Sequence, residues 1–163
     1  MPKNENTHAM RVLEAKGIAY RATVYDTSGA FHSGEEAAAL AGADPDAVYK
    51  TLVVLRDGQP RAKPLLVMVP ATAQLDLKLL AQATGDKKLR MSTQREAEQF
   101  TGMQAGGISA LGLRKPGFDI LIDERARALP EIHISAGLRG VEIALAVRDL
   151  AAVTGARFVR ATP

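Results

Sequence analysis

Apolar and polar positions along this chain change period many times. Residues 7–16 place Val12 and Leu13 on one inward helical face, and Gly17 stops the turn. "IAYRATVY" alternates and predicts a strand. Ser33 and Glu36 form a capping-box pattern that opens a helix through "EEAAALA", with Gly42 past its end. Pro45 follows Asp44, as in the first turn of a short helix. "AVYKTLVVLRDG", residues 47–58, then runs as a strand into an Asp57-Gly58 turn, and "PLLVMV" is a second, wholly apolar strand. "LDLKLLAQATG" predicts a helix with Asp76 near its start and Gly85 past its end. "KKLRM" is a short strand, and Thr93 with Glu96 caps the helix "QREAEQF". "FDILIDE", "EIHIS", "VEIALA" and "ARFVR" are further strands, with a last short helix at "RDLAAVTG".

This succession is neither a clean βαβ alternation nor an all-β pattern. It predicts an α/β (α+β) chain, with a mixed, curved or barrel-like sheet surrounded by helices. The 163 residues contain no repeat, linker or low-complexity tract, and residues 1–163 are expected to form a single domain.

Composition narrows the chemistry. Hydrophobic residues make up 47% and charged residues 24%, as in a soluble globular protein. Aromatic residues are only 4%, with no Trp, which argues against a broad stacking platform for single strands. The net charge of +3 tolerates a polyanionic partner without demanding one. Basic residues cluster at Lys87, Lys88 and Arg90, at Arg114 and Lys115, and at Arg125 and Arg127. Such clusters read either as solvated faces or, together, as a phosphate-facing rim. No cysteine is present, so disulfides, thiolate metal sites and a cysteine nucleophile are excluded. No apolar run is of membrane-spanning length, and "MPKNENTHAM" has no signal-peptide core, so the cytoplasm is expected.

No metal or cofactor motif emerges. His8, His32 and His133 are isolated, with no second ligand at helical spacing. There is no Walker loop, no dinucleotide fingerprint in "GGISALG", and no G-x-S-x-G elbow. Three oddities remain. Lys50 intrudes at the start of an apolar strand, either snorkelling from an edge or marking a site. "AGGISALG" carries three glycines in eight residues, and "SAGLRG" spans 135–140 between two strands. Each loop reads either as a tight turn or as a nest whose N–H groups bind an anion.

"DPDAVYKTLVV", "QLDLKLLAQATGDKKLRM", "TGMQAGGISALG" and "ISAGLRGVEIAL", in this order, resemble the YbaK/EbsC family. These are free-standing aminoacyl-tRNA deacylases related to the editing insertion of bacterial prolyl-tRNA synthetase. The similarity runs from the N-terminal helix to "ARFVR" and is strongest toward the Cys-tRNA(Pro) deacylase branch. Three positions depart from the pattern. Ala110 stands where a proline usually follows "GGIS", Ala136 where a second glycine is common, and Ser33 where an aromatic residue often precedes the helix glycine.

The resemblance implies hydrolysis of the ester joining a wrong amino acid to tRNA, with no cofactor and no metal. The lysine of its "YKT" motif is Lys50, a point charge suited to a terminal phosphate-sugar end or to ester oxygens. It also implies a substrate site made by Tyr25, Thr51, Gly106, Gly107, Ile108, Ser109, Ser135, Ala136, Gly137, Arg139 and Gly140. The two glycine loops would face each other across one pocket and stabilise the oxyanion, while water or a substrate thiol attacks. The implied partner is the acceptor end of mischarged tRNA, not DNA and not a membrane. Whether the protein acts alone or docks on prolyl-tRNA synthetase stays open. So do two other classes: a binding module that does not hydrolyse, and a hydrolase of a different small ester.

Overall fold

The computed structural model describes residues 6–25 and 42–163, so the helix expected from Ser33 and Glu36 lies outside the described residues. Helix α1 (His8–Ala15) opens at Thr7, whose side chain accepts a hydrogen bond from the Met10 N–H. Strand β1 (Arg21–Val24) follows. A single 3-10 turn (Pro45–Ala47), capped by Asp44, leads into β2 (Tyr49–Arg56) and β3 (Leu65–Pro70). Helix α2 (Leu77–Thr84) starts where Asp76 accepts from the N–H groups of Lys78 and Leu79. After β4 (Leu89–Met91), helix α3 (Gln94–Thr101) carries a complete capping box. Thr93 Oγ1 accepts from the Glu96 N–H at 3.1 Å, and Glu96 Oε1 accepts from the Thr93 N–H at 2.9 Å. The chain then forms β5 (Asp119–Asp123), β6 (Glu131–Ser135), β7 (Val141–Ala146), α4 (Val147–Thr154) and β8 (Arg157–Val159). Two 3-10 turns, Ala110–Gly112 and Glu124–Ala128, occupy stretches whose short polar-apolar runs carry no helical period.

The strands divide between two sheets. One is antiparallel, in the order β1-β7-β6; the other is mixed, in the order β4-β2-β3-β5-β8. In the second, β2 pairs antiparallel with β3 and β4, whereas β3–β5 and β5–β8 are parallel. A parallel bridge between Val48 and His133 links the two sheets at the entry to β2.

Side-chain alternation explains the apolar run of β3. Leu66 and Met68 point into the core shared with the three-stranded sheet, where they meet Ile132, Ile134, Ile143 and Leu145. Leu65, Val67 and Val69 point the other way, toward Leu80 of α2. A strand covered on both faces has no polar face, so its sequence does not alternate. Arg56 sits beside this layer and donates to Asp86 at 2.8 Å and to Asp119 at 2.9 Å. Burial alone would raise the Asp86 carboxyl, but hydrogen bonds from Arg56 and Thr84 bring it below its ordinary value.

Candidate functional site

The start of β2 forms one wall of a cavity of about 530 Å³. Tyr49, Lys50, Thr51, Leu52 and Val53 line it from that strand. Ser92, Thr93, Gln94 and Ala97 line it from the capped end of α3. Ala105, Gly106 and Ile108 come from the first glycine loop, Ser135 and Glu142 from β6 and β7, and Tyr25 from the end of β1. The cavity therefore opens where the two sheets meet.

Lys50 lies opposite Val69 in the β2–β3 register and is half-buried. Among the described residues its ammonium has no ion-pair partner. A half-buried cation without a counter-charge favours an arriving anion or polarised oxygen. Tyr25 N–H donates to the Gly140 carbonyl at 2.8 Å, which fixes the strand end. Burial, followed by the Glu142 carboxylate, pushes the Tyr25 phenol up, so it stays a hydrogen-bond donor at neutral pH. The Tyr49 phenol is likewise pushed up to about 12, chiefly by burial.

The two glycine loops do touch, but not as facing nests. A side-chain carbon on Gly107 would stand 2.7 Å from the Arg139 nitrogen and 2.9 Å from the Leu138 carbonyl carbon. Backbone thus lies directly on backbone, and only glycine fits. Within the second loop, Ala136 N–H donates to the Val141 carbonyl and Gly137 N–H to Ser135 Oγ. Those donors are spent on the loop's own turn. In the first loop Gly107 N–H is held by the Gln104 carbonyl, whereas the N–H groups of Gly106 and Ile108 have no hydrogen-bond partner among the described residues. Of the two loops, the first reaches the cavity through Ala105, Gly106 and Ile108, and the second only through Ser135.

Of the residues expected at the site, Lys50, Tyr25, Thr51, Gly106, Ile108 and Ser135 share this cavity. Gly107, Ser109, Ala136, Gly137, Arg139 and Gly140 do not line it. Ser109 is fully buried and caps the following 3-10 turn through the Leu111 N–H. Ala136 is fully buried, and Ala110 lines a separate cavity with Arg114 and Lys115. Neither of these departures reaches the Lys50 cavity, and Ser33 lies outside the described residues. None of the basic clusters lines this cavity. Lys88 and Arg90 pair with Asp57 and Glu96 just ahead of the cavity wall, and Arg125 is tied to the Pro163 carbonyl. Arg127 lies 4.8 Å over the Phe158 ring.

Glu142 lines the same cavity and, among the described residues, is the one lining carboxylate, which the sequence pattern did not single out. It is 6% exposed, and its Oε2, like Thr51 Oγ1, is buried without a hydrogen-bond partner among the described residues. Burial pushes its carboxyl up to about 7. An acid in the apolar run "VEIALA", just after the "SAGLRG" loop, was the available signal. Among the described residues no group of three or more His, Cys, Asp or Glu could hold a metal ion, and no helix is long and apolar enough to cross a membrane.

Comparison with known proteins places this geometry. A family model described as the aminoacyl-tRNA editing domain matches residues 28–153. A protein of Enterococcus faecalis described as a Cys-tRNA(Pro)/Cys-tRNA(Cys) deacylase, EbsC, is 32% identical over 158 residues, covering 97% of this chain and 94% of that protein. A crystal structure described as a trans-editing enzyme for prolyl-tRNA synthetase superposes with a TM-score of 0.80 at 24% identity, over 96% of this chain and 95% of that one. A second, of a protein described only as hypothetical, gives 0.83 at 21% identity, over 96% and 99%. At these identities the two structures speak for the fold.

Proposed function

Because this chain belongs to the aminoacyl-tRNA editing domain family, we propose that the Lys50 cavity is where it cleaves its substrate. The protein is an aminoacyl-tRNA deacylase, a hydrolase of the ester on mischarged tRNA. Following the similarity to EbsC, the substrate we assign is Cys-tRNA(Pro), with prolyl-tRNA synthetase as the enzyme whose errors are corrected. Residues 1–163 would act as one editing domain, working in the cytoplasm where charged tRNA is used.

One observation carries the reading: Lys50, half-buried and without an ion-pair partner among the described residues, shares a cavity with Gly106 and Ile108, whose N–H groups have no hydrogen-bond partner among those residues. A volume of about 530 Å³ suits a terminal nucleoside with a small aminoacyl group. Lys50 would hold the phosphate-sugar end or the ester oxygens, and the two N–H groups would meet the carbonyl oxygen as it gains charge. Water adds to the ester carbon and loses a proton. The bond to the ribose oxygen breaks, and that oxygen takes up a proton. The products are a free amino acid and tRNA with its terminal hydroxyl restored. The ester is already activated, so positioning and charge stabilisation supply the rate without a covalent enzyme intermediate.

The test is a deacylation panel: proline tRNA charged with Cys, Ala, Ser or Pro, and cognate Cys-tRNA. Cys-tRNA(Pro) should release its amino acid fastest and Pro-tRNA(Pro) should be spared. Added salt should weaken the reaction, because tRNA phosphates must be engaged. Release from none of these tRNAs would leave a binding module, and salt-insensitive release would point to a different small ester.

A further inference from the structure

Lys50 and the Gly106–Ile108 loop supply what an ester oxygen needs, and they leave one group of the cavity unexplained. Glu142 stands on β7 between Thr23 of β1 and Ser135 of β6, on the face opposite Ile143. A carboxyl on that face would ordinarily reach water. Here it is 6% exposed, it borders the cavity, and its Oε2 meets no donor among the described residues. Its cross-strand neighbour Ser135 accepts from the Gly137 N–H. A carboxyl removed from water without a partner is costly, and the cost is relieved when a cation or a donor arrives beside it.

The aminoacylated end of a tRNA brings one such cation. Its phosphates are anionic, its ribose and base are neutral, and only the α-amino group of the amino acid carries positive charge. That nitrogen sits on the carbon next to the ester carbonyl. A pocket that holds the carbonyl oxygen on backbone N–H groups must therefore meet the ammonium a few ångströms away, on a wall of opposite charge from Lys50.

We propose that Glu142 is the receptor for the α-ammonium group of the bound aminoacyl ester, and so makes the pocket selective for a free amino acid over an N-acylated or peptidyl one. The assignment rests on the editing reading of this cavity. Burial keeps the empty carboxyl protonated up to about neutral pH, and a free α-amine titrates in the same range. Whichever partner brings the proton, the same ammonium–carboxylate pair results. An N-acyl group removes that charge and adds bulk where Oε2 lies. Esters of growing peptides would thereby be spared, whereas esters of single wrong amino acids would be cut.

The experiment compares wild type with Glu142→Gln and Glu142→Asp. The substrate is proline tRNA charged with the amino acid removed fastest in the panel, with its α-amine free or acetylated. Single-turnover half-saturation concentrations are read for each pair. Wild type should favour the free amine by roughly ten- to a hundredfold, the range of a hydrogen bond to a charged group. Glu142→Gln should bring that ratio close to unity, and Glu142→Asp should keep most of it. The ratio is taken within one protein preparation, so a partly folded variant does not distort it. If Glu142→Gln proves inert, the same ratio is read from binding of 3′-amide-linked alanyl and lactyl adenosine to wild type and to the variant. No preference in wild type overturns the proposal. So does a preference that survives Glu142→Gln, including the case where the variant loses its rate on both substrates alike. A wild type that releases amino acid but ignores the amine refutes this inference alone, whereas a wild type that releases none refutes the editing reading.

Discussion

Lys50 and Glu142 interrupt apolar strands with opposite charges, and only one of them was legible. Lys50 breaks a run of β-branched and aliphatic residues that is covered on both faces, so its charge stands out along the chain. Glu142 obeys the alternation of β7, which would send it to solvent. It is nonetheless 6% exposed, between Thr23 of β1 and Ser135 of β6, and periodicity carries no signal for that. The buried carboxyl has a consequence for stability. Its folded value is raised from 4.5 to about 7, so the folded state holds the proton more tightly than the unfolded chain. The stabilisation is fully present below 4.5 and is lost as pH rises through about 7. Glu142→Gln lacks this loss. Relative to wild type it should gain up to about 3 kcal/mol between about pH 5 and about pH 8. Thermal melts of both proteins at the two pH values check this, and an equal difference at both contradicts it.

Among the elements, helix starts were the most readable, because a cap is a local contact. Thr93 and Glu96 form both hydrogen bonds that their spacing implied, and Asp76, expected near the start of its helix, is the residue that caps it. The glycine loops were readable as special, but the reason differs from the one their composition suggests. Gly107 is required by the backbone of Leu138 and Arg139, a contact between segments some thirty residues apart. Gly107→Ala should cost about 1–3 kcal/mol and part the two loops, because backbone cannot yield. Gly112→Ala should cost less. There the nearest atom, at 2.6 Å, is Sδ of the flexible Met103 side chain. Urea midpoints of the two variants give the comparison, and an equal loss would show that the loop contact is not what selects Gly107.

At the scale of the molecule, the strands were legible and their grouping was not. Pairing joins β5 to β3 across more than fifty residues, and β1 to β7 across more than a hundred, by contacts that no local period encodes. Asp123 shows the same limit. It ends a strand whose apolar centre was evident, yet its role is to hold the C-terminal segment. Fully buried, it accepts from the N–H groups of Ala161 and Thr162 at 2.9 and 3.1 Å and from Thr162 Oγ1 at 3.1 Å. Asp123→Ala leaves those donors unpaired and should lower unfolding stability by about 2–4 kcal/mol. Calorimetry measures it, and a loss below about 0.5 kcal/mol would make the clamp incidental. The dispersed basic clusters belong to this scale too. Lys88, Arg90, Arg125 and Arg127 pair or pack locally, so the number of basic residues by itself carries no tRNA surface.

The claim on which the rest depends is that Lys50 directs hydrolysis in its cavity. The direct measurement is the single-turnover rate of Lys50→Ala on Cys-tRNA(Pro), or on the best substrate of the panel, beside melts of both proteins. Loss of one directed charge-assisted contact in the transition state is worth about 2–4 kcal/mol, so the rate should fall by roughly one and a half to three decades. The melting temperature should hardly move, because among the described residues Lys50 has no ion pair to lose. Lys50→Arg should not restore the rate, since a planar guanidinium cannot occupy the place of a compact ammonium. An unchanged rate with an unchanged melt would contradict the account and return Lys50 to an edge residue with no part in the chemistry.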